Sequence, residues 1–280
     1  YADMQMIAEV YGLLRDAGGQ TAPQIGALFQ SWQKGPLSSY LIEVSAAALQ
    51  TVDAESGAPM VDLILDKAGQ KGTGRWTLIE ALKLGQSASS IEAAVGARGW
   101  SSEKDLRVAA APLLPDAVTG GTLPTEDEMK SALLAARILG HAQGFRVLSA
   151  ASDEFGWQLD MARIAEIWRA GCIIRSALLD DLADAFHAGL PEGALILAPA
   201  IRDMLGDHLA GLRKTVAAGV SLGVPMPALS ASLAWYDSIR TARGSANLIQ
   251  AQRDFFGAHG FERGDIAGAH HGTWNAIRRD

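Results

Sequence analysis

Apolar positions recur at three- and four-residue spacing along most of the chain, and where the spacing lapses, glycine, proline or serine stands in the gap. From Ala2 to Ala17 the residues Met6, Ile7, Val10, Leu13 and Leu14 predict a helix that Gly18 and Gly19 stop. Thr21-Ala-Pro-Gln24 is a capping-box start with proline in the first turn, and predicts a second helix through Phe29 and Trp32 to Gly35. A third runs from Leu37 to Leu49, and a short apolar segment follows from Met60 to Leu65. Helices are predicted at Trp76 to Leu84 and at Ile91 to Ala97, with Arg98 ending the latter. Ser101-Ser102-Glu103 starts the next, which Pro112 and Pro115 terminate. Thr125-Glu-Asp-Glu128 is a second capping box, opening a long amphipathic run through Leu133, Ile138, Phe145 and Leu148. Helical patterns continue over 160–170, 172–186, 195–222, 226–241 and 245–256, and no segment sustains an alternation of period two. The predicted fold is all-α.

Two adjacent glycines without a helical stripe mark residues 116–124 as an internal linker, dividing the chain into halves of about 1–115 and 125–257. Short patterns recur across it at similar offsets. Trp32-x-x-Gly35 returns as Trp168-x-x-Gly171, and Leu84-Gly85 as Leu222-Gly223, which reads as two copies of one multi-helix unit. Beyond Phe256 the glycines at 257, 260, 264 and 268 predict an irregular tail, 258–280, that cannot fold on itself. Its Phe261 and Trp274 call for a host surface on another subunit.

With 280 residues, 49% of them hydrophobic, the chain can bury a large core, and a net charge of −7 argues against a nucleic-acid surface. The lone Cys172, beside Ile173 and Ile174, reads as a buried core thiol in a reducing compartment. No apolar run approaches the ~20 residues that span a bilayer, so a cytoplasmic protein without membrane partners is expected. The chain opens on Tyr1 with a helical pattern and no cap before it, which reads as a cut end.

Candidate chemistry concentrates in Gln70-Lys-Gly-Thr-Gly-Arg-Trp76. A lysine charge, a threonine hydroxyl and two glycines before a helix suit a phosphate, because main-chain N–H groups can approach the anion there. Taken alone, the segment reads equally well as a glycine-rich turn with a solvated lysine, and it lacks the spacing of a nucleotide P-loop. His141, His187 and His208 fall within helical patterns and read as surface or satisfied core residues. His270 and His271 have no Cys or carboxylate at ligand spacing, so no metal is expected.

Several blocks then join into one resemblance. They are Tyr1-Ala-Asp-Met-Gln5, Ala68-Gly-Gln-Lys-Gly-Thr-Gly-Arg-Trp76, Ala97-Arg98 with Ser101-Ser102, Phe155-Gly-Trp157, Trp168 through Ser176, and Leu248-Ile-Gln-Ala-Gln-Arg-Asp-Phe-Phe-Gly-Ala-His259. In that order, from first residue to tail, the chain resembles the C-terminal helical domain of the 6-phosphogluconate dehydrogenase family. The resemblance implies oxidative decarboxylation of 6-phosphogluconate to ribulose 5-phosphate with NADP, in the pentose phosphate pathway. It implies that Lys71, Thr73 and Arg98 hold the substrate phosphate and that Tyr1 binds substrate. It also implies a homodimer with exchanged tails, in which Arg253 and His259 reach the neighbouring subunit's site. Such chemistry fits the residue types, since arginines offer paired N–H donors to a phosphate and lysine a compact charge. The family's Rossmann domain and its Lys-x-x-His-Asn-x-x-Glu segment, with general base and acid, precede the position of Tyr1. The catalytic lysine and acid are therefore not expected among these residues, nor is the main NADP site. Gly96, Gly99 and Gly272 depart from the family pattern. A related β-hydroxyacid dehydrogenase fragment is an alternative, opposed by the phosphate-type cluster. A free-standing helical module for dimerisation or metabolite binding is another.

Overall fold

The structure, a computed structural model, describes residues 1–115 and 118–274; positions 116–117 of the expected linker and 275–280 of the expected tail lie outside the described residues. Helix α1 (Ala2–Gly12) passes through a π turn (Leu13–Ala17) before α2 (Ala22–Trp32), α3 (Tyr40–Gln50) and the single turn α4 (Met60–Leu63). Then come α5 (Thr73–Lys83), α6 (Ser89–Ser102), α7 (Lys104–Ala110), the 30-residue α8 (Glu126–Phe155), α9 (Met161–Trp168) and α10 (Leu178–Ala188). Two 3-10 turns lead to α11 (Pro199–Ser221), followed by α12 (Pro227–Ile239) and α13 (Ala246–Gly257). The fold is all-α apart from a pair of two-residue strands, β1 (Phe261–Glu262) and β2 (Ala269–His270), which are antiparallel. Both capping boxes form where expected, Thr21 with Gln24 and Thr125 with Glu128, because each is satisfied within one turn of its own helix.

Several sequence expectations are corrected. Arg98 does not end a helix; α6 continues through Gly96 and Gly99 to Ser102, so Ser101 and Ser102 close α6 instead of opening α7. The 172–186 pattern is helical only from Leu178, and Cys172 in the preceding turn is half-buried instead of core. Over its middle, α8 is not amphipathic: every position from Ala132 to Leu139 is buried, which over two turns leaves no solvent face. It is the central helix. Its most extensive partner is α11, and at Gly211 a Cβ would stand 2.6 Å from the Glu128 carbonyl oxygen and from Ser131 Cβ, so glycine sets this close approach.

Contacts divide the chain into two compact units, Tyr1–Trp235 and Tyr236–Asp280. In the first, buried Glu9 on α1 caps the start of α12: Oε1 accepts from the Ala228 N–H at 2.8 Å and Oε2 from the Leu229 N–H at 2.9 Å. Burial pushes this carboxyl up to about 7, against the opposing pull of the Leu229, Ala228 and Gln5 hydrogen bonds. The folded state then keeps the proton up to about pH 7 while the unfolded chain loses it near 4.5. This stabilisation is complete below the lower value and declines on the order of 1.4 kcal/mol per pH unit as pH rises to the upper one. Denaturant unfolding at pH 5 and pH 8 should show that decline, and Glu9→Gln should flatten it. Equal slopes for both proteins would remove Glu9 as the cause.

In the second unit, the tail does fold on itself. Asp254 of α13 is buried among donors from Gly260, His271, Gly272 and Trp274, and Trp274 lies edge-on to Phe255 with ring centroids 6.2 Å apart. Phe261 and Trp274 are half-buried within the chain itself. A carboxylate supplies here the anchor that the glycine-rich sequence lacks.

Candidate functional site

Helix α5 starts where Gly72 turns left-handed at φ +101°, a conformation that favours glycine, and Trp76 N–H closes the first turn onto the Gly72 carbonyl at 2.9 Å. The first-turn N–H groups of Thr73 and Gly74 thus have no carbonyl four residues back to bond, as at any helix start, and the dipole end is positive. The preceding loop is tied to α6. Ser101 Oγ accepts from Ala68 N–H at 2.9 Å, and Arg98 Nη1 donates to the Gly69 carbonyl at 3.2 Å. Arg107 extends the tie, donating to Asp66 Oδ2 at 2.8 Å and to its carbonyl at 2.9 Å.

Tyr1 closes the cradle from α1. The Arg98 guanidinium carbon lies 5.3 Å from the centre of the Tyr1 ring, near enough for a cation–π contact. Gly74 makes room for that ring, since a Cβ there would stand 3.2 Å from it and 2.7 Å from Val95 Cγ2. The Tyr1 hydroxyl is held below its ordinary pKa, foremost by its hydrogen bond with Thr73, then by main-chain contacts at Lys71 and Gly74 and the charge of Arg98. Lys71, exposed, and Arg98, half-buried, form no ion pair with a carboxylate among the described residues. Four of the six residues singled out in the sequence, Tyr1, Lys71, Thr73 and Arg98, therefore meet at one helix start. Two cations without a carboxylate partner and the Thr73 hydroxyl can together receive a multiply charged oxyanion.

Arg253 and His259 belong to the second unit. Arg253 is exposed on α13, its Nη1 donating to Gln250 Oε1 at 2.8 Å, and His259 follows the helix end, edge-on to Phe256 at 6.0 Å. The helix histidines have protein partners: His141 Nδ1 with the Arg137 carbonyl, His187 with Glu166, and His208 with Ser131. Among the described residues, no group of three or more His, Cys, Asp or Glu side chains stands where it could hold a metal ion, and no helix is long and apolar enough to cross a membrane.

Sequence reasoning missed the supports of the site. Asp3, two residues along α1 from Tyr1, pairs at 2.9 Å with Arg137, which is sunk in α8 with a side chain 1% exposed. Beside them a cavity of ≈340 Å³ is lined by Tyr1, Asp3, Thr77, Arg137, His141 and Trp168. The one signal available was a charged residue inside an otherwise apolar stretch, Ala135-Ala-Arg-Ile-Leu139, which calls for a buried partner.

Fold and site thus define a helical domain with a cationic cradle suited to an anion. The chain belongs to the 6-phosphogluconate dehydrogenase family: the family model for the 6-phosphogluconate dehydrogenase C-terminal domain matches residues 1–274. The chain is 44% identical over 277 residues to the decarboxylating 6-phosphogluconate dehydrogenase of Escherichia coli (strain K12), covering 98% of this chain and 59% of that protein. Two Bacillus subtilis relatives, one NAD(+)-dependent and one NADP(+)-dependent, are 40% and 42% identical, each across 98% of this chain and 60% and 59% of their own length. A solved structure of Plasmodium falciparum 6-phosphogluconate dehydrogenase, studied as apo form and in complex with NADP+ and with 6-phosphogluconate, superposes with a TM-score of 0.93. It is 36% identical, over 98% of this chain and 60% of that one. The chain therefore spans about 60% of the length of these relatives.

Proposed function

We propose that this chain is the substrate-binding and dimerisation domain of an NADP-dependent, decarboxylating 6-phosphogluconate dehydrogenase of the cytoplasm, converting 6-phosphogluconate to ribulose 5-phosphate in the pentose phosphate pathway. The observation that carries the reading is the meeting of Tyr1, Lys71, Thr73 and Arg98 at the start of α5, within a chain of this family. In the proposed complex, Lys71 and Arg98 neutralise the substrate phosphate, and Thr73 supplies a neutral donor. Tyr1 lies against the sugar chain, its hydroxyl kept in place by Thr73. The role of these residues is to bind and orient. NADP, when bound, supplies the hydride acceptor; no glycine-rich dinucleotide fingerprint after a strand occurs among these residues, so none of them is assigned to it. Nor does the domain distinguish the cofactors, since NAD(+)- and NADP(+)-dependent relatives match it almost equally.

Dimerisation is supported by apolar side chains left exposed in the single chain. Leu63, Ile64, Trp76, Leu82 and Trp100 lie in the first unit, and Leu248, Ile249 and Phe256 on α13 in the second. In the proposed dimer, Arg253 and His259 complete the cradle of the partner subunit.

The test uses the whole enzyme, with the isolated 280 residues as the inactive blank. Each charge-assisted contact to phosphate is worth on the order of 1.5–3 kcal/mol. Lys71→Ala should therefore raise KM for 6-phosphogluconate about tenfold or more, with little change in KM for NADP. An unchanged substrate KM would take Lys71 out of the site.

A further inference from the structure

The proposed role of Arg253 and His259 requires that a glycine-rich tail hold them in fixed positions, and the residue that links them in the fold is Asp254. Its side chain is buried, 1% exposed, at the last turn of α13. Oδ1 accepts from the Gly260 N–H at 2.9 Å and from His271 Nδ1 at 2.6 Å. Oδ2 accepts from the Gly272 N–H at 2.8 Å and from Trp274 Nε1 at 2.7 Å. Four donors converge on two oxygens, two each, which is the full accepting capacity of an ionised carboxylate. An amide of the same shape would turn its own N–H groups toward two of those donors.

Asp254 follows Arg253 in the chain, and its bond to Gly260 fixes the turn that bears His259. The turn is otherwise defined by local sterics. Ala258 is left-handed at φ +49°, Gly260 at φ +72°, and the His259 ring lies so close to Gly257 that a Cβ there would stand 2.6 Å from Nε2. The helix end abuts the His259 ring, and the Asp254 bond to Gly260 ties down the peptide that follows it.

We infer that Asp254 is a positioning residue for substrate binding: by gathering the tail's donors onto one buried carboxylate, it sets the placement of Arg253 and His259. The inference rests on the proposed function, and the experiment separates the two. In the whole enzyme, Asp254→Asn should raise KM for 6-phosphogluconate about tenfold, the loss of one well-placed charge contact. KM for the cofactor should stay within about twofold, since that site lies elsewhere by the same reading. The His271 side chain is 63% exposed, so His271→Ala removes one of the four donors with little cost to folding. It should raise the substrate KM by a smaller factor, and His271→Asn, whose amide can donate from the same place, should restore it. Arg253→Ala is the reference. If it raises the substrate KM while Asp254→Asn and His271→Ala do not, the positioning role is overturned. It is overturned equally if these two variants lower thermal stability or dissociate the dimer with KM unchanged, because the carboxylate would then be structural only. If Arg253→Ala leaves KM unchanged, the functional reading fails, and the inference with it.

Discussion

Asp3→Ala is expected to lower the stability of the chain by about 3–5 kcal/mol, the range for stranding one member of a buried ion pair. The partner left behind is Arg137. Its Nε is 2.9 Å from Asp3 Oδ1 and its Nη1 donates to the Leu37 carbonyl at 3.2 Å, while Nη2 is already without a protein acceptor. Without Asp3, a guanidinium in the middle of the central helix keeps a single carbonyl to offset the loss of its hydration. Removing both charges should behave differently. Asp3→Leu combined with Arg137→Met replaces the pair by apolar side chains of comparable reach, and should recover most of the loss. Urea unfolding of the wild type, the two single variants and the double variant gives the coupling directly. A single-variant loss under about 1 kcal/mol, the scale of a surface pair, would mean that the bridge is hydrated in solution. Because Asp3 lies on α1 beside Tyr1, the same variants should also loosen the ring that Arg98 and Gly74 hold.

In mixed dimers of the whole enzyme, one subunit carrying Lys71→Ala and the other Arg253→Ala, recovery to about half the activity of a normal dimer is expected. Under the proposed arrangement each site takes Lys71 from one subunit and Arg253 from the other. The two lesions then fall together in one site and leave the second intact. If both residues act within a single chain, every site carries one lesion and activity stays as low as in either parent. Differently tagged subunits, co-expressed and purified through both tags, isolate the mixed species. A doubly tagged dimer with no recovery would refute the shared site.

What could be read from the sequence divides along the reach of the interactions. Both capping boxes and the glycine turn before α5 are local, decided within a few residues, and the all-α reading followed from spacing alone, although α5 opens at Thr73, ahead of the expected Trp76. Arg98 was misplaced at a helix end, whereas α6 runs on through Gly96 and Gly99 to Ser102 despite a propensity cost of about 1 kcal/mol for each glycine. The central position of α8 was hidden because its apolar spacing read as one amphipathic face, whereas from Ala132 to Leu139 every position is buried. At the site, Tyr1, Lys71, Thr73 and Arg98 were named through family resemblance, whereas what holds them was not. The Asp3–Arg137 pair joins residues 134 positions apart, and Asp254 reaches donors 6 to 20 positions onward. No periodicity encodes pairings of that kind.

The tail's closure on Asp254 also bears on how fast two subunits could assemble. All four of its bonds lie within 20 residues of sequence, so the loop can close as a local event on the timescale of hairpin formation, before any encounter with another chain. A segment that orders only on docking slows association and gives up part of its binding energy to that ordering. Here the ordering has been done in the monomer. Encounter then needs only the orientation of two finished surfaces, and the rate of dimer formation should rise with the square of subunit concentration, without a plateau set by tail folding.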